Sequence, residues 1–143
     1  MPSTKDFEAM LRGTQLRVTR PRLAVLAVLR DHPHADTASI VEAARRELGA
    51  VSHQTGYDIL RALCVAGLVR KIEPQGSVAR YELRVGDNHH HVVCRACGAI
   101  ADVDCSVNYA PCLTASDDHG FTVDEAEVVY WGMCPTCSVR QTT

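Results

Sequence analysis

The apolar positions fall into four helical stripes and then begin to alternate. Phe7, Met10 and Leu11 recur at i, i+3 and i+4, which predicts an amphipathic helix over residues 3–13 closed by Gly13. Thr19 is a natural N-cap, and Pro21 falls in the first turn of a second helix, where its missing N–H costs little. That helix carries Leu23, Val25, Leu26, Val28 and Leu29 and stops near Asp31-His32-Pro33. Asp36 caps a third helix with Ile40, Val41, Ala44 and Leu48 inward and Gly49 at its end. Ser52 opens a fourth, running to about Ala66 with Gly67 as terminator. Its inner face is Ile59, Leu60, Leu63 and Cys64, and its first turn shows Ser52, His53, Gln54 and Thr55.

The period then changes to two. Residues 68–73 and 78–83 alternate on either side of Pro74-Gln75-Gly76-Ser77, which predicts a β-hairpin. Helices followed by a two-stranded hairpin is the winged-helix order, in which the recognition helix enters the major groove. Residues 84–88 are turn-rich and lack a periodic face, so they read as a hinge. Further strands are predicted at 90–94, 99–103 and 123–133, with a less regular stretch at 104–120. The expected organisation is α+β. A winged-helix DNA-binding domain (1–83) and a hinge (84–88) precede an α/β dimerisation domain (89–143) with a small antiparallel sheet.

Charge sharpens that division. Residues 1–81 carry 12 Lys+Arg against 8 Asp+Glu, a net of +4, and residues 82–143 carry 3 against 9, a net of −6. A basic half joined to an acidic, Cys/His-rich half suggests a polyanion-binding module beside a metal-binding one. No apolar run approaches the roughly 20 residues that span a bilayer, and the first residues have no signal-peptide character. Without an export signal, seven cysteines point to metal or thiol chemistry in a reducing compartment. The expected location is the cytoplasm, with no membrane partner.

The chemistry is concentrated at His89-His90-His91-Val92-Val93-Cys94-Arg95-Ala96-Cys97-Gly98. A second knuckle, Cys134-Pro135-Thr136-Cys137, follows after a spacer of 36 residues. Two Cys-x-x-Cys pairs suit a tetrahedral zinc ion, each pair gripping one edge. If the histidines lie on a strand, His89 and His91 share one face. Cys64 reads as core. Cys105 and Cys112 read as small buried hydrophobes in preference to a redox pair or a second zinc site. Arg17, Arg20 and Arg22 suit phosphate contact, and Tyr57 suits a DNA contact or a packing role. No paired general base stands in a motif such as His-Glu-x-x-His, so neither an enzyme nor a small-molecule substrate is expected.

These motifs, in this order, resemble the ferric uptake regulator (Fur) family of dimeric, metal-dependent repressors, from Leu16-Arg17-Val18-Thr19-Arg20-Pro21-Arg22 to Cys137. The most specific stretch is His-x-His-x-x-Cys-x-x-Cys-Gly. Arg80-Tyr81-Glu82 and Tyr130-Trp131-Gly132-Met133-Cys134 look most like the actinobacterial branch that regulates catalase-peroxidase genes. The resemblance implies structural Zn2+ on Cys94, Cys97, Cys134 and Cys137. It implies a regulatory Fe2+ or Mn2+ on His32, Glu82, His89, His91 and Asp102, with His32 preferred to His34 by its spacing to Ala35. That ion would set the angle between DNA-binding halves on a palindromic double-stranded operator. Aspartate at 102 is typical of peroxide-sensing relatives, which implies iron-catalysed oxidation of His32 or His89. An iron- or zinc-sensing uptake repressor is the alternative. DNA contacts are implied for Arg17, Arg20, Ser52, His53, Gln54, Thr55 and Tyr57. Two departures stand out. Asn88, His90, Tyr109 and Ala126 occupy the positions of a second regulatory site in some relatives, which predicts its absence here. Gly56 and Asp58 interrupt the usual recognition helix, Gly56 weakening it by about 1 kcal/mol relative to alanine.

Overall fold

The computed structural model describes residues 1–83, 89–106 and 111–141. It forms two compact units, Met1–Val85 and Gly86–Thr143. The expected hinge at 84–88 lies outside the described residues.

In the first unit, α1 (Thr4–Arg12) begins with a capping box: Ser3 Oγ accepts from the Asp6 N–H, and Asp6 Oδ2 accepts from the Ser3 N–H at 2.7 Å. Thr19 caps α2 (Arg20–Asp31), Asp36 caps α3 (Thr37–Leu48) and Ser52 caps α4 (His53–Val65). The apolar stripes converge on one core built from Phe7, Leu11, Val25, Leu26, Leu29, Ile40, Leu60 and Leu63, closed by Val69 and Tyr81.

Strands β2 (Val69–Ile72) and β3 (Arg80–Leu83) form the antiparallel hairpin, four residues each and shorter than the alternation suggests. A two-residue strand, β1 (Ala35–Asp36), also pairs with β3, giving the sheet order β1-β3-β2. Two residues carry no periodicity, so β1 has no sequence signal. It ties the α2–α3 connection to the wing and completes the winged-helix order.

Gly56 has a packing role that helix propensity does not reveal. A Cβ built there would lie 2.4 Å from Val41 Cγ2. Glycine lets α4 approach the buried Val41 on α3 at this point.

The second unit contains β4 (His89–Cys94), β5 (Ile100–Asp104) and β6 (Val129–Gly132) in the order β5-β4-β6. β4 pairs antiparallel with β5 but parallel with β6. The sheet is therefore mixed rather than wholly antiparallel. A parallel neighbour needs a long return, and residues 105–128 supply it. β6 starts six residues later than the expected 123, after the charged Asp124, Glu125 and Glu127. A short helix the periodicity did not predict, α5 (Pro135–Gln141), follows, with proline at its first position. Among the described residues no helix is long and apolar enough to cross a membrane.

Candidate metal centres and nucleic-acid face

Cys94 ends β4, and the turn after it closes with the Gly98 N–H donating to the Cys94 carbonyl at 3.0 Å. Gly98 sits at φ +76°, a left-handed conformation that explains the glycine after the knuckle. Cys94 lies opposite Gly132 in the parallel pairing, which brings the second knuckle to the same end of the sheet. The four Sγ atoms of Cys94, Cys97, Cys134 and Cys137 lie within 4.8 Å of one another, and Cys97 and Cys134 are 3.8 Å apart. Four sulfurs about 2.3 Å from one zinc ion define a tetrahedron with edges of about 3.8 Å, so the donor set fits.

Its electrostatics fit as well. The Cys134 main-chain N–H donates to Cys94 Sγ at 3.3 Å; this bond, followed by one from Cys97, lowers the Cys94 thiol to about 6. Cys137 is pushed up to about 12, first by its interaction with the Cys134 side chain and then by burial. One sulfur ionises readily while its neighbour resists, and a shared dication relieves that conflict.

His89 and His91 project from one face of β4, and Asp102 lies directly opposite His91 on β5. Asp102 Oδ1 is 3.3 Å from His91 Nε2 and 3.7 Å from His89 Nε2. The imidazoles meet edge to face with centroids 5.0 Å apart, both rings buried. Donors about 2.1 Å from a shared ion would stand about 3.4 Å apart in a tetrahedron, so the 3.3 Å His91–Asp102 spacing fits a cation held by nitrogen and oxygen, with His89 standing farther from the carboxylate at 3.7 Å.

In the first unit, Glu82 is buried on β3, and its Oε2 lies 3.2 Å from His34 Nε2. His34 is fixed three ways: its side chain meets Glu82, its N–H donates to Tyr81 O at 3.0 Å, and its carbonyl accepts from Arg80 Nη1. It also sits at φ +71°, where a non-glycine residue is strained, a feature that clusters at functional positions. His32 instead caps the C-terminus of α2, exposed to solvent. The imidazole brought to Glu82 is therefore that of His34, and His32 does not join it. The resemblance favours His32 by its spacing to Ala35, but the β1–β3 pairing and the left-handed turn bring His34 to Glu82.

On α4, His53, Gln54, Tyr57, Asp58 and Arg61 are exposed on the side away from Leu60 and Leu63. Ser52 and Thr55 are occupied in the cap, with Ser52 Oγ accepting from the Thr55 N–H at 3.0 Å. Gln54 Nε2 donates to Asp58 Oδ1 at 3.0 Å. Tyr57 is 53% exposed, so of its two expected roles the packing one drops away. Arg17 and Arg20 are exposed around the start of α2, Arg20 Nη2 donating to Glu47 O at 3.4 Å.

Comparison with known proteins agrees with this layout. The Ferric uptake regulator family matches residues 13–130. The chain is 64% identical over 143 residues to the transcriptional regulator FurA of Mycobacterium tuberculosis, covering 100% of this chain and 97% of that protein. It is 66% identical over 131 residues to ferric uptake regulation protein 1 of Mycolicibacterium fortuitum, covering 92% of this chain and 81% of that one. The crystal structure of the Campylobacter jejuni peroxide stress regulator superposes with a TM-score of 0.65 at 26% identity, covering 93% of this chain and 95% of that one. The two-unit fold, the paired cysteine knuckles, the histidine-rich strand and the match along most of its length together mean that the chain belongs to the ferric uptake regulator family, whose members are metal-dependent transcriptional regulators and not enzymes.

Proposed function

We propose that this regulator is a homodimeric repressor of catalase and other oxidative-stress genes, which binds a palindromic operator and senses peroxide through a regulatory Fe2+. The observation that carries the reading is the single Asp102 carboxylate oxygen between the Nε2 atoms of His89 and His91. An all-nitrogen-and-oxygen donor set suits Fe2+ or Mn2+ and leaves zinc to the four sulfurs. The 26% identity to a peroxide stress regulator supports the same reading. The family resemblance adds Glu82 and a neighbouring histidine to this donor set, and His34 is the histidine that meets Glu82. Fe2+ held by these residues would supply the chemistry that activates peroxide; His89 and His34 would be the ligands oxidised, and their loss would release the protein from DNA. Mn2+ in the same place supports repression without oxidation.

Leu113, Phe121, Val123, Trp131 and Val139 are exposed on the second unit. A homodimer formed through this unit would cover such side chains. Dimerisation also pairs the +4 halves on two operator half-sites. A repressor that senses iron or zinc and controls uptake genes is the second reading, favoured by the 66% identity to ferric uptake regulation protein 1 of Mycolicibacterium fortuitum.

Mass spectrometry of the Fe2+-loaded protein before and after brief peroxide exposure separates the two, with a Mn2+-loaded control. One oxygen added to His89 or His34, with iron alone, is the expected result. His32 and His34 share a tryptic peptide, so fragment ions assign the site. Unmodified histidines with DNA binding that follows iron occupancy and ignores peroxide would leave the uptake-repressor reading in place.

A further inference from the structure

The alternation that puts His89 and His91 on one face of β4 puts His90 on the other. There a ring nitrogen of His90 and the Sγ atoms of Cys105 and Cys112 all lie within 4.8 Å of one another. His90 and Cys105 are buried; Cys112 is half-buried. His90 Nε2 is 3.2 Å from Cys112 Sγ, and the Val128 main-chain N–H donates to His90 Nδ1 at 3.2 Å.

The Val128 contact decides what this cluster can do. A main-chain amide only donates, so Nδ1 keeps its lone pair and the proton of the neutral ring sits on Nε2, aimed at the Cys112 sulfur. A metal ion on Nε2 would displace that proton and leave an Nδ1–H facing the Val128 N–H, two donors against each other. The geometry favours a hydrogen-bonded thiol with a second thiol beside it. The more accessible sulfur is Cys112, and Cys105 is buried beside it. None of the seven cysteines is in a disulfide.

We propose that Cys105 and Cys112 form a dithiol oxidised by hydroperoxides without bound iron, Cys112 reacting first and Cys105 resolving. The Cys112 sulfur attacks one peroxide oxygen; the S–O bond forms, the O–O bond breaks, and the second oxygen leaves as water with the proton shed by the thiol. The Cys105 sulfur then attacks the Cys112 sulfenic acid; the S–S bond forms, the S–O bond breaks, and a second water leaves with the Cys105 proton. Two thiols lose two electrons, and one hydrogen peroxide becomes two waters. This site is independent of the histidine oxidation proposed above, because it needs no iron.

The test uses the full-length, zinc-loaded, iron-free protein. After hydrogen peroxide treatment, remaining thiols are alkylated and peptides from a chymotryptic digest are read by mass spectrometry. A Cys105–Cys112 linked peptide is expected while the four knuckle cysteines keep their zinc. Cys105→Ser is expected to accumulate a dimedone-trapped sulfenic acid on Cys112, and Cys112→Ser to leave Cys105 reduced. The idea fails if both sulfurs stay fully alkylatable, if the knuckle cysteines oxidise first, or if Cys105 and Cys112 resist alkylation until a chelator strips a metal from them. The iron-free condition silences histidine oxidation, so either mechanism can fail alone.

Discussion

His34 and Glu82 stand 48 residues apart in sequence and 3.2 Å apart in space, because Ala35 pairs with Tyr81 in the β1–β3 ladder. This relationship places beside Glu82 the histidine that the family resemblance ranked second. Removing His34 takes one hydrogen-bond partner from a buried carboxylate, so His34→Ala should cost about 1–3 kcal/mol in urea unfolding. His32→Ala, at an exposed position, should stay within about 0.5 kcal/mol. The Mn2+ concentration for half-maximal operator binding should rise on the order of 10–100-fold for His34→Ala and stay unchanged for His32→Ala. Equal effects of the two substitutions would remove His34 from the regulatory set.

The same pair marks where sequence reading reaches its limit. Thr19, Asp36 and Ser52 are caps because a side-chain oxygen beside a periodic apolar run has local work to do. The four sulfurs were equally legible, since each knuckle is a contiguous motif. β1 was not, because its hydrogen bonds exist only once Arg80 and Tyr81 arrive. The choice of His34 depends on that strand, so it was hidden with it. The parallel pairing of β6 depends on the path of residues 105–128, which carry no repeat. His90 could have been flagged: if His89 and His91 share a face, His90 must look elsewhere. What it meets there, Cys112 and Val128, only the fold supplies.

Gly56→Ala tests whether packing or propensity governs α4. Propensity alone favours alanine by about 1 kcal/mol. The new Cβ would stand 2.4 Å from Cγ2 of Val41, a buried β-branched side chain with a stiff χ1. Overpacking of this kind costs about 1–3 kcal/mol, so net destabilisation is expected on chemical denaturation. Adding Val41→Ala to Gly56→Ala should recover part of the loss in a double-mutant cycle. A stabilised single variant would mean that the helices have slack at the crossing.

Zinc capture by the four cysteines should depend on pH with a defined sign. In the metal-free fold Cys94 is lowered to about 6, so its thiolate favours the folded unit fully above the ordinary thiol range, and this contribution is lost as pH falls through about 6. Cys137, raised to about 12, is neutral at physiological pH and must shed its proton when zinc binds. Competition with a chromophoric chelator should show affinity rising with pH between 6 and 8 (roughly the physiological window), with proton release detectable in weakly buffered solution. Cys137→Ser should weaken zinc binding and reduce that release. A flat profile would mean that all four sulfurs are already ionised before the metal arrives.

Contacts with DNA should divide into two kinds. Arg17 is exposed near the start of α2, where a cation meets phosphate and reads no base. Arg17→Ala should weaken operator and random DNA alike and lower the slope of log affinity against log salt by about 1. Tyr57 is exposed on α4, one helical turn from both His53 and Arg61. Tyr57→Ala should leave the salt slope intact while reducing the preference for operator over random sequence, with little change in unfolding free energy. Asp58 accepts from Gln54 and adds negative charge to the same face. Asp58→Asn should therefore raise affinity for any duplex, because it removes a repulsion while keeping an oxygen that accepts from Gln54. Fluorescence anisotropy with operator and scrambled duplexes across a salt series reads all three variants. If Tyr57→Ala changes neither preference nor affinity, α4 is not the element that reads the bases.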